Sequence, residues 1–415
     1  MLIGKYSFGI GDRFGQQGKS LLAAIKEAKR FGVQITPVWN KSHREHTIIG
    51  TTPEEVREEA KEAVSEMTWE GDYFVDADHI TLKNVDLFIE SSDFFTLDVA
   101  DFVGKPAEQN EIDNFIDGCV GYIDGLVIPG IEESLVVGEK LVRDKAGKYL
   151  TAVKQAGKLY RHIVSRKGAG NFVVELSMDE TDTAQTPAEL FFILAAIAQE
   201  EIPVATIAPK FTGRFNKGVD YVGDVERFAK EFEQDLAVLA YAAEEFGLPK
   251  NLKLSVHSGS DKFAIYKSMN RALKNFNAGL HVKTAGTNWL EELAGLAMAG
   301  GEWLDIAKKI YAEAFGRIDE LCSPYSTVID IDRSKLPMPE VVNGWNAKRY
   351  VDELRHDQSC GRYNPNFRQL LHVGYKVAAE MGKEFTDAVA DCERIIGPNV
   401  TENIFVKHIK PIFID

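Results

Sequence analysis

Short apolar runs alternate with longer segments of helical periodicity along most of the chain. The alternation is most regular between residues 172 and 318, where each apolar run is followed by an amphipathic segment. This pattern is typical of parallel βαβ units. About eight strands are predicted, which favours a closed barrel over an open sheet. The predicted strands are 3–10, 32–38, 73–77, 86–90, 172–176, 203–207, 252–256 and 279–282.

Two regions depart from this alternation. Residues from about 91 to 138 mix acidic helical turns with a Gly- and Pro-rich run, which we interpret as an insertion after strand four. Beyond residue 318 the alternation stops, and only helical periodicity remains over 347–355, 364–381 and 383–396. The sequence therefore predicts a (β/α)8, TIM-like barrel over residues 1–318. A C-terminal helical extension, 319–415, is expected to pack on this barrel or on a partner subunit.

Composition and charge narrow the function classes. The 415 residues carry a formal net charge of −15, which argues against nucleic acid as a partner because phosphate binding needs a positive surface. A small anionic substrate stays compatible, since a local basic pocket can lie on an acidic protein. Apolar runs are shorter than the ~18 residues of a membrane span. The four cysteines are far apart and form no C-x-x-C pair, so a cytoplasmic protein with reduced thiols is expected.

The Gly-rich segment after the first strand does not predict a nucleotide site. Residues 9–15 have the spacing G-x-G-x-x-x-G, one residue longer than the dinucleotide fingerprint. A phosphate-binding loop ending in Gly18-Lys19-Ser20 would need glycine at position 13, which is Arg13. We therefore predict no nucleotide cofactor.

Three predicted strands end in ionisable side chains. Strand three runs into Asp76, Asp78 and His79, and the strands at 252–256 and 279–282 carry His257 and His281. Burying such groups is costly unless they are paired or bind a cation. These strand ends therefore indicate a single divalent-metal site at the mouth of the barrel.

Strand alternation predicts which side chains point into the barrel. His257 shares an inward face with Lys253 and Ser255, and His281 shares one with Lys283. In strand five, Glu175 faces inward between outward-facing apolar residues. Barrel enzymes place their chemistry at the carboxyl ends of the strands, where these side chains collect.

The inward-facing residues suggest roles. Imidazoles of His79, His257 and His281 suit Zn²⁺, with Mn²⁺, Fe²⁺, Co²⁺ or Ni²⁺ as alternatives. Asp78 and Glu175 are candidate acid and base groups. His43 and His46 have ligand-like spacing but lie in a charged segment that we interpret as a solvated loop. Cations for an anionic end of a substrate are offered by Arg13, Lys210, Arg214, Lys262 and Lys283.

Several motifs resemble those of the tagaturonate/fructuronate epimerases, metal-dependent enzymes of hexuronate catabolism, over nearly the whole chain. The site is also similar to that of class II fructose-bisphosphate aldolases, which place an Asp-His pair after a barrel strand. By that analogy Asp78 transfers protons while His79, His257 and His281 hold the metal. The motifs are Ser7–Gly15, Asp76–His79, Val174–Thr181, Ser255–Lys262 and Leu280–Gly286.

The resemblance implies C4 epimerisation of a ketohexuronate by retro-aldol cleavage and re-addition. The alternatives are an aldolase that releases its fragments, a metal-dependent sugar isomerase, and a non-catalytic barrel that binds sugar acids. The second proton carrier is assigned to Glu175, with Asp179 and Glu180 as alternatives, because one slip of strand register reverses every side chain. The oligomeric state is left open, with a homo-oligomer as one outcome.

Overall fold

Eight parallel strands form a closed barrel in which each strand pairs with its neighbours in chain order and β8 pairs with β1. The structure is a computed structural model that describes residues 1–132, 135–179, 181–284 and 286–415. The predicted fold class is confirmed. The strands are β1 Tyr6–Ile10, β2 Ile35–Ser42, β3 Phe74–Ile80, β4 Phe94–Asp98, β5 Val173–Ser177, β6 Thr206–Ala208, β7 Lys253–Val256 and β8 Leu280–Lys283.

Helices surround the barrel and cover its carboxyl-terminal end. Long α5 crosses back from β4 to β5, and a helical region follows β8 through to the end of the chain. A π-helix, Asn403–Ile414, closes the chain against α1 and α8. The helices are α1 Gly18–Arg30, α2 His43–Ile49, α3 Pro53–Glu66, α4 Gln109–Cys119, α5 Glu139–Lys167, α6 Pro187–Gln199, α7 Val225–Glu245, α8 Phe263–Asn275, α9 Asn288–Ala299, α10 Gly301–Gly316, α11 Ile318–Cys322, α12 Pro339–Asn343, α13 Ala347–Leu354, α14 Pro365–Val373, α15 Tyr375–Met381, α16 Lys383–Asp391 and α17 Glu393–Glu402.

The fourth strand was predicted in the wrong place. Residues 86–90 were expected to form it, but 85–87 form a single 3-10 turn, and β4 lies within the predicted insertion. Both segments are apolar, but only 94–98 alternates so that Phe94 and Thr96 face the barrel interior while Phe95 and Leu97 pack outward. The irregular segment between β4 and α5 therefore starts after residue 98.

One predicted helix is two helices in the structure. Residues 289–318 were expected to be continuous, but α9 ends at Ala299, Gly300 caps it, and α10 begins at Gly301. Both glycines have left-handed backbone conformations, with φ of +74° and +54°, which a helix cannot continue through. The change of direction lets α9 pack against both α10 and α17.

The barrel interior changes from apolar to polar along its axis. Its amino-terminal end holds a separate apolar cluster. Above this cluster, inward-facing Thr96 pairs in register with Glu175, and its hydroxyl donates to inward-facing Asp76 Oδ1 at 2.9 Å. The polar groups thus collect at the carboxyl end, where barrel enzymes place their active sites. The apolar cluster consists of Ile3, Val38, Phe74, Phe94, Val173 and Ala205.

No helix in the described ranges is long and apolar enough to cross a membrane.

The buried carboxyl group of Asp235, on α7, leads us to a prediction about stability. Asp235 is 3% exposed, and its Oδ1 has no hydrogen-bond partner among the residues that the structure describes. Burial, with Glu231 nearby, raises the pKa of Asp235 well above the ordinary value. Between the unfolded pKa of about 4 and the raised folded pKa, the unfolded state loses the proton first, so stability falls as pH rises. Asp235→Asn, which mimics the neutral acid, should raise the free energy of unfolding at pH 8 by about 1 kcal/mol and change little at pH 4.

The measurement is urea unfolding at both pH values, with Glu244→Gln on the exposed face of the same helix as control. If the free energy of unfolding differs between pH 4 and pH 8 as much in Asp235→Asn as in the wild type, the raised pKa of Asp235 is contradicted.

Candidate active site at the carboxyl ends of the strands

His79 lies in an irregularity of β3. The register between β3 and β4 shifts between Ala77 and Ile80, and His79 has a left-handed backbone conformation with φ of +54°. A bulge of this kind re-aims a side chain and is common beside active sites. Left-handed backbone at a non-glycine residue costs about 1–3 kcal/mol and persists where the surroundings impose it. His79 therefore lies within β3, which continues to Ile80.

His79, Asp179 and His257 form a compact group of metal-ligand type. One ligand atom from each lies within 4.8 Å of the others. His79 Nε2 lies 3.5 Å and His257 Nδ1 3.2 Å from Asp179 Oδ1. Both ring nitrogens are buried, and neither makes a well-aligned hydrogen bond in the described part of the chain. Two imidazole nitrogens and a carboxylate oxygen are a donor set that Zn²⁺ and related divalent ions accept.

The other nitrogen of each ring contacts a second carboxylate. His79 Nδ1 lies 2.9 Å from Asp78 Oδ1, and His257 Nε2 lies 2.8 Å from Glu175 Oε1. Histidines that bind metals almost always donate their second N–H to such a partner, which fixes the ring and the tautomer. The nitrogens that face Asp179, with Asp78 and Glu175 behind the two rings, fit a divalent cation held between His79, His257 and Asp179.

The pKa values of the His79 and His257 rings are raised when no cation is bound. Burial lowers the pKa of His257, but Asp179 and Glu175 more than offset this and raise it to about 9. Burial likewise opposes protonation of His79, while Asp78 and Asp179 raise its pKa well above the ordinary value. A metal ligand must be a neutral imidazole, so a cation would have to displace these protons.

Lys283 lies at the centre of the acidic groups. Its Nζ lies 2.7 Å from Asp76 Oδ2, 2.8 Å from Asp78 Oδ1 and 2.8 Å from Glu175 Oε1. Burial opposes its charge, but these carboxylates raise its pKa well above the ordinary value. Burial raises the pKa of Asp76 to about 7, whereas Lys283 and the neighbouring histidines keep Asp78 and Glu175 ionised with lowered pKa values.

The two carboxylates assigned to proton transfer differ in access. Glu175 is fully buried and accepts hydrogen bonds from Thr96, at 3.1 Å, and from Thr206, at 2.7 Å, besides contacting Lys283 and His257. Asp78 keeps 8% of its side chain exposed. Glu175 is therefore better placed to fix His257 than to exchange protons with a substrate. Of the two alternatives, Asp179 lies in the ligand group, and Glu180 lies outside the described residues.

His281 is not part of the ligand group. Its ring lies inside the barrel, as alternation predicts, but it pairs in register with Ser7 and Ser255, one inward-facing layer below His257. Its Nδ1 lies 2.8 Å from Ser7 Oγ, and burial lowers its pKa to about 3. Among the described residues, the group of metal-ligand type contains Asp179, two residues past β5, where we expected His281.

The lysines and arginines that we predicted to bind an anionic substrate have different partners in the structure. Lys262 is fully buried and donates to the carbonyls of Asn216, Val219 and Ser260 at 2.8–2.9 Å, which is a structural role. Lys210 Nζ donates to the Thr181 carbonyl, and Arg214 pairs with exposed Asp330. Arg13 is buried beside Glu45, and Lys283 is held among the acids.

The histidines at 43 and 46 are helical. The strand β2 extends to Ser42, which caps α2 through a capping box with Glu45, so the expected loop is one helical turn or more. His43 is exposed, and His46 is buried with Nδ1 3.0 Å from Thr51 Oγ1. Neither histidine belongs to the ligand group.

A substitution at position 281 tests whether His281 or Asp179 completes the ligand set with His79 and His257. We expect His281→Asn to lower stability, because it leaves space beside Ser7, but to keep the affinity for a divalent cation within about threefold. Isothermal titration of the metal-free variant with Zn²⁺ or Mn²⁺ measures this. A loss of a hundredfold or more in affinity would return His281 to the ligand set.

Fold and site together define a (β/α)8 barrel with a histidine–carboxylate cluster where barrel enzymes keep their active sites. The family model described as UxaE, tagaturonate epimerase, matches residues 2–389. The chain belongs to this family, and thus to a family of epimerases.

Individual proteins of known name are also similar to this chain in sequence or in structure. A tagaturonate/fructuronate epimerase of Thermotoga maritima is 29% identical over 383 residues, which cover 89% of this chain and 72% of that protein. A glycerol-bound structure of the fructuronate-tagaturonate epimerase UxaE from Cohnella laeviribosi has a TM-score of 0.82 at 22% identity, with 99% of this chain and 82% of that chain covered. The native form has a TM-score of 0.78 at 22% identity, covering 98% and 81%. At this identity the structural likeness supports the fold.

Proposed function

We propose that this protein interconverts D-tagaturonate and D-fructuronate by inverting C4, using a divalent cation held by His79, His257 and Asp179. The observation that carries the proposal is the pair of buried imidazole nitrogens that face Asp179 Oδ1 without a well-aligned hydrogen bond among the described residues, in a chain of the tagaturonate epimerase family. Zn²⁺ suits two imidazoles and one carboxylate, and Mn²⁺, Fe²⁺, Co²⁺ and Ni²⁺ accept the same donors.

The chemistry of the substrate favours cleavage of a carbon–carbon bond. The C4 proton is β to the C2 ketone and is not acidic enough for direct removal. Loss of the C4-hydroxyl proton instead lets the C3–C4 electron pair move toward the C2 carbonyl, which gives an enediolate and an aldehyde. Rotation of the aldehyde and re-addition of C3 to its other face inverts C4. When bound, the cation supplies a Lewis acid that stabilises the negative charge of the enediolate.

Asp78 is the residue that we assign to the C4-hydroxyl proton. It is ionised because Lys283 and His79 lower its pKa against the effect of burial, and it retains partial exposure next to His79. A base must lie within hydrogen-bond reach of the proton that it removes, and a carboxylate adjacent to a metal ligand satisfies this when the substrate is bound beside the cation.

Glu175 receives a positioning role in this proposal. It holds the Nε2 side of His257, so the Nδ1 side stays directed at the ligand group. Because Asp179 is assigned to the cation, Glu180 is the remaining predicted alternative for the second proton carrier.

Product analysis tests the proposal. The purified protein, stripped with a chelator and reloaded with one cation at a time, is incubated with either ketohexuronate and followed by NMR. We expect the C4 epimer to form only after reloading. Free three-carbon products would indicate an aldolase, a shifted carbonyl would indicate an isomerase, and no reaction with any of the cations would overturn the proposal.

A further inference from the structure

Positive side chains gather around two tyrosines at the carboxyl-terminal end of the barrel. Tyr325 and Tyr375 share a hydrogen bond between their hydroxyl oxygens, 2.9 Å apart. The Arg13 guanidinium lies 3.7 Å from the Tyr375 ring centre, and Arg44 and Lys217 lie 5.5 and 5.7 Å from that of Tyr325. These five residues are called the mouth cluster below.

The mouth cluster lies over the strand ends that carry the candidate active site. Arg13 follows β1, Arg44 lies in α2 directly after β2, and Lys217 follows β6. The end of β2 is next to the site because Ser42 pairs in register with Asp78. The tyrosines come from the C-terminal helical region, which therefore contributes to this end of the barrel.

Among the described residues, two of the three cations have no carboxylate partner. Arg13 donates to Glu45 Oε1 at 3.2 Å and to the His372 carbonyl at 3.0 Å. In contrast, neither Arg44 nor Lys217 has a carboxylate within 4.0 Å or a side-chain hydrogen bond among the described residues. Two uncompensated positive charges at one barrel mouth stand out in a chain with a net charge of −15.

Two hydrogen-bonding groups in or beside the mouth cluster also lack a full set of partners among the described residues. In the tyrosine pair one hydroxyl donates to the other, so the second hydroxyl keeps a hydrogen to donate. His372 is 1% exposed, and its Nδ1 has no hydrogen-bond partner among the described residues. Burial lowers the pKa of His372, and the nearby charges of Arg13 and Lys217 lower it further. Buried polar groups are normally satisfied, so an orphaned one beside free cations indicates a ligand.

We propose that the mouth cluster binds the carboxylate of the substrate, with Arg44 and Lys217 in direct contact and Arg13 positioning Tyr375. A guanidinium, an ammonium and a tyrosine hydroxyl are all donors that a carboxylate accepts. The inference rests on the proposed function, because it assigns the residues that distinguish a ketohexuronate from an uncharged ketohexose. These residues replace Lys210, Lys262 and Lys283 as the expected contacts of the anionic end.

The test compares two substrates in matched variants. Arg44→Gln, Lys217→Gln and the double variant are assayed with the ketohexuronate and with the uncharged ketohexose that carries a hydroxymethyl group in place of the carboxylate. Lys267→Gln, which removes an exposed charge from α8, is the control. Dissociation constants for the ketohexuronate are measured in parallel by calorimetry on cation-loaded protein.

For the double variant we expect KM and Kd for the ketohexuronate to rise by at least roughly tenfold, because two charge-assisted hydrogen bonds are lost. Turnover at saturation and all constants for the uncharged ketohexose should stay within about twofold, as in Lys267→Gln. Equal losses with both compounds, or no loss with either, would overturn the inference. If wild-type protein epimerises neither compound, the proposed function fails, and the Kd comparison alone then decides the inference.

Discussion

Alanine in place of His257 is expected to abolish both tight binding of a divalent cation and epimerisation. His257 supplies one of the two imidazole nitrogens of the ligand group, and its other nitrogen is fixed by Glu175. Loss of a partner residue behind a metal ligand already costs about 10–100-fold in affinity, so loss of the ligand itself should cost at least roughly a hundredfold. Calorimetry with Zn²⁺ or Mn²⁺ and the NMR epimerisation assay measure the two effects.

His43→Ala is the matched control, since this histidine lies at the same end of the barrel but is exposed and outside the group. It should bind the cation and turn over substrate as wild type does. Undiminished metal affinity in His257→Ala would remove the basis of the proposed metal site.

Asparagine at position 78 should lower kcat by about 10²–10⁴-fold while the protein still binds a cation at saturating concentration. Asn keeps the shape of Asp78 and an oxygen toward His79 Nδ1, but it cannot accept the C4-hydroxyl proton. Metal content at saturation and kcat are the two quantities to compare.

Asp101→Asn, at an exposed position after β4, controls for the loss of one negative charge. Retention of kcat in Asp78→Asn would show that another group removes the proton. If kcat recovers fully when more cation is added, Asp78 acts only by orienting His79.

Alternation along the strands predicted much of the site. In β7 and β8 it correctly placed His257, His281 and Lys283 inside the barrel, because both strands are short, regular and buried on their outer face. Alternation gives the side of the sheet but not the height in the barrel. The height depends on the stagger between neighbouring strands, which set His281 opposite Ser255 and below His257.

Local irregularity accounts for other differences. The bulge that turns His79 toward Asp179 breaks the period-2 pattern, so sequence periodicity could not orient this residue. Asp179 lies past the end of β5, where no periodicity applies, and only its short distance from a strand end carrying Glu175 marks it as a ligand candidate. The mouth cluster joins residues that are far apart in the sequence, such as Arg13 and Tyr375, and only the folded C-terminal helices create this contact.

Anomalous diffraction from crystals grown with Zn²⁺ or Mn²⁺, collected at the absorption edge of the metal, tests the central claim most directly. The account predicts one strong peak within coordination distance of His79 Nε2, His257 Nδ1 and a carboxylate oxygen of Asp179. A peak coordinated by His281 in place of Asp179, or no peak between His79 and His257, would contradict it.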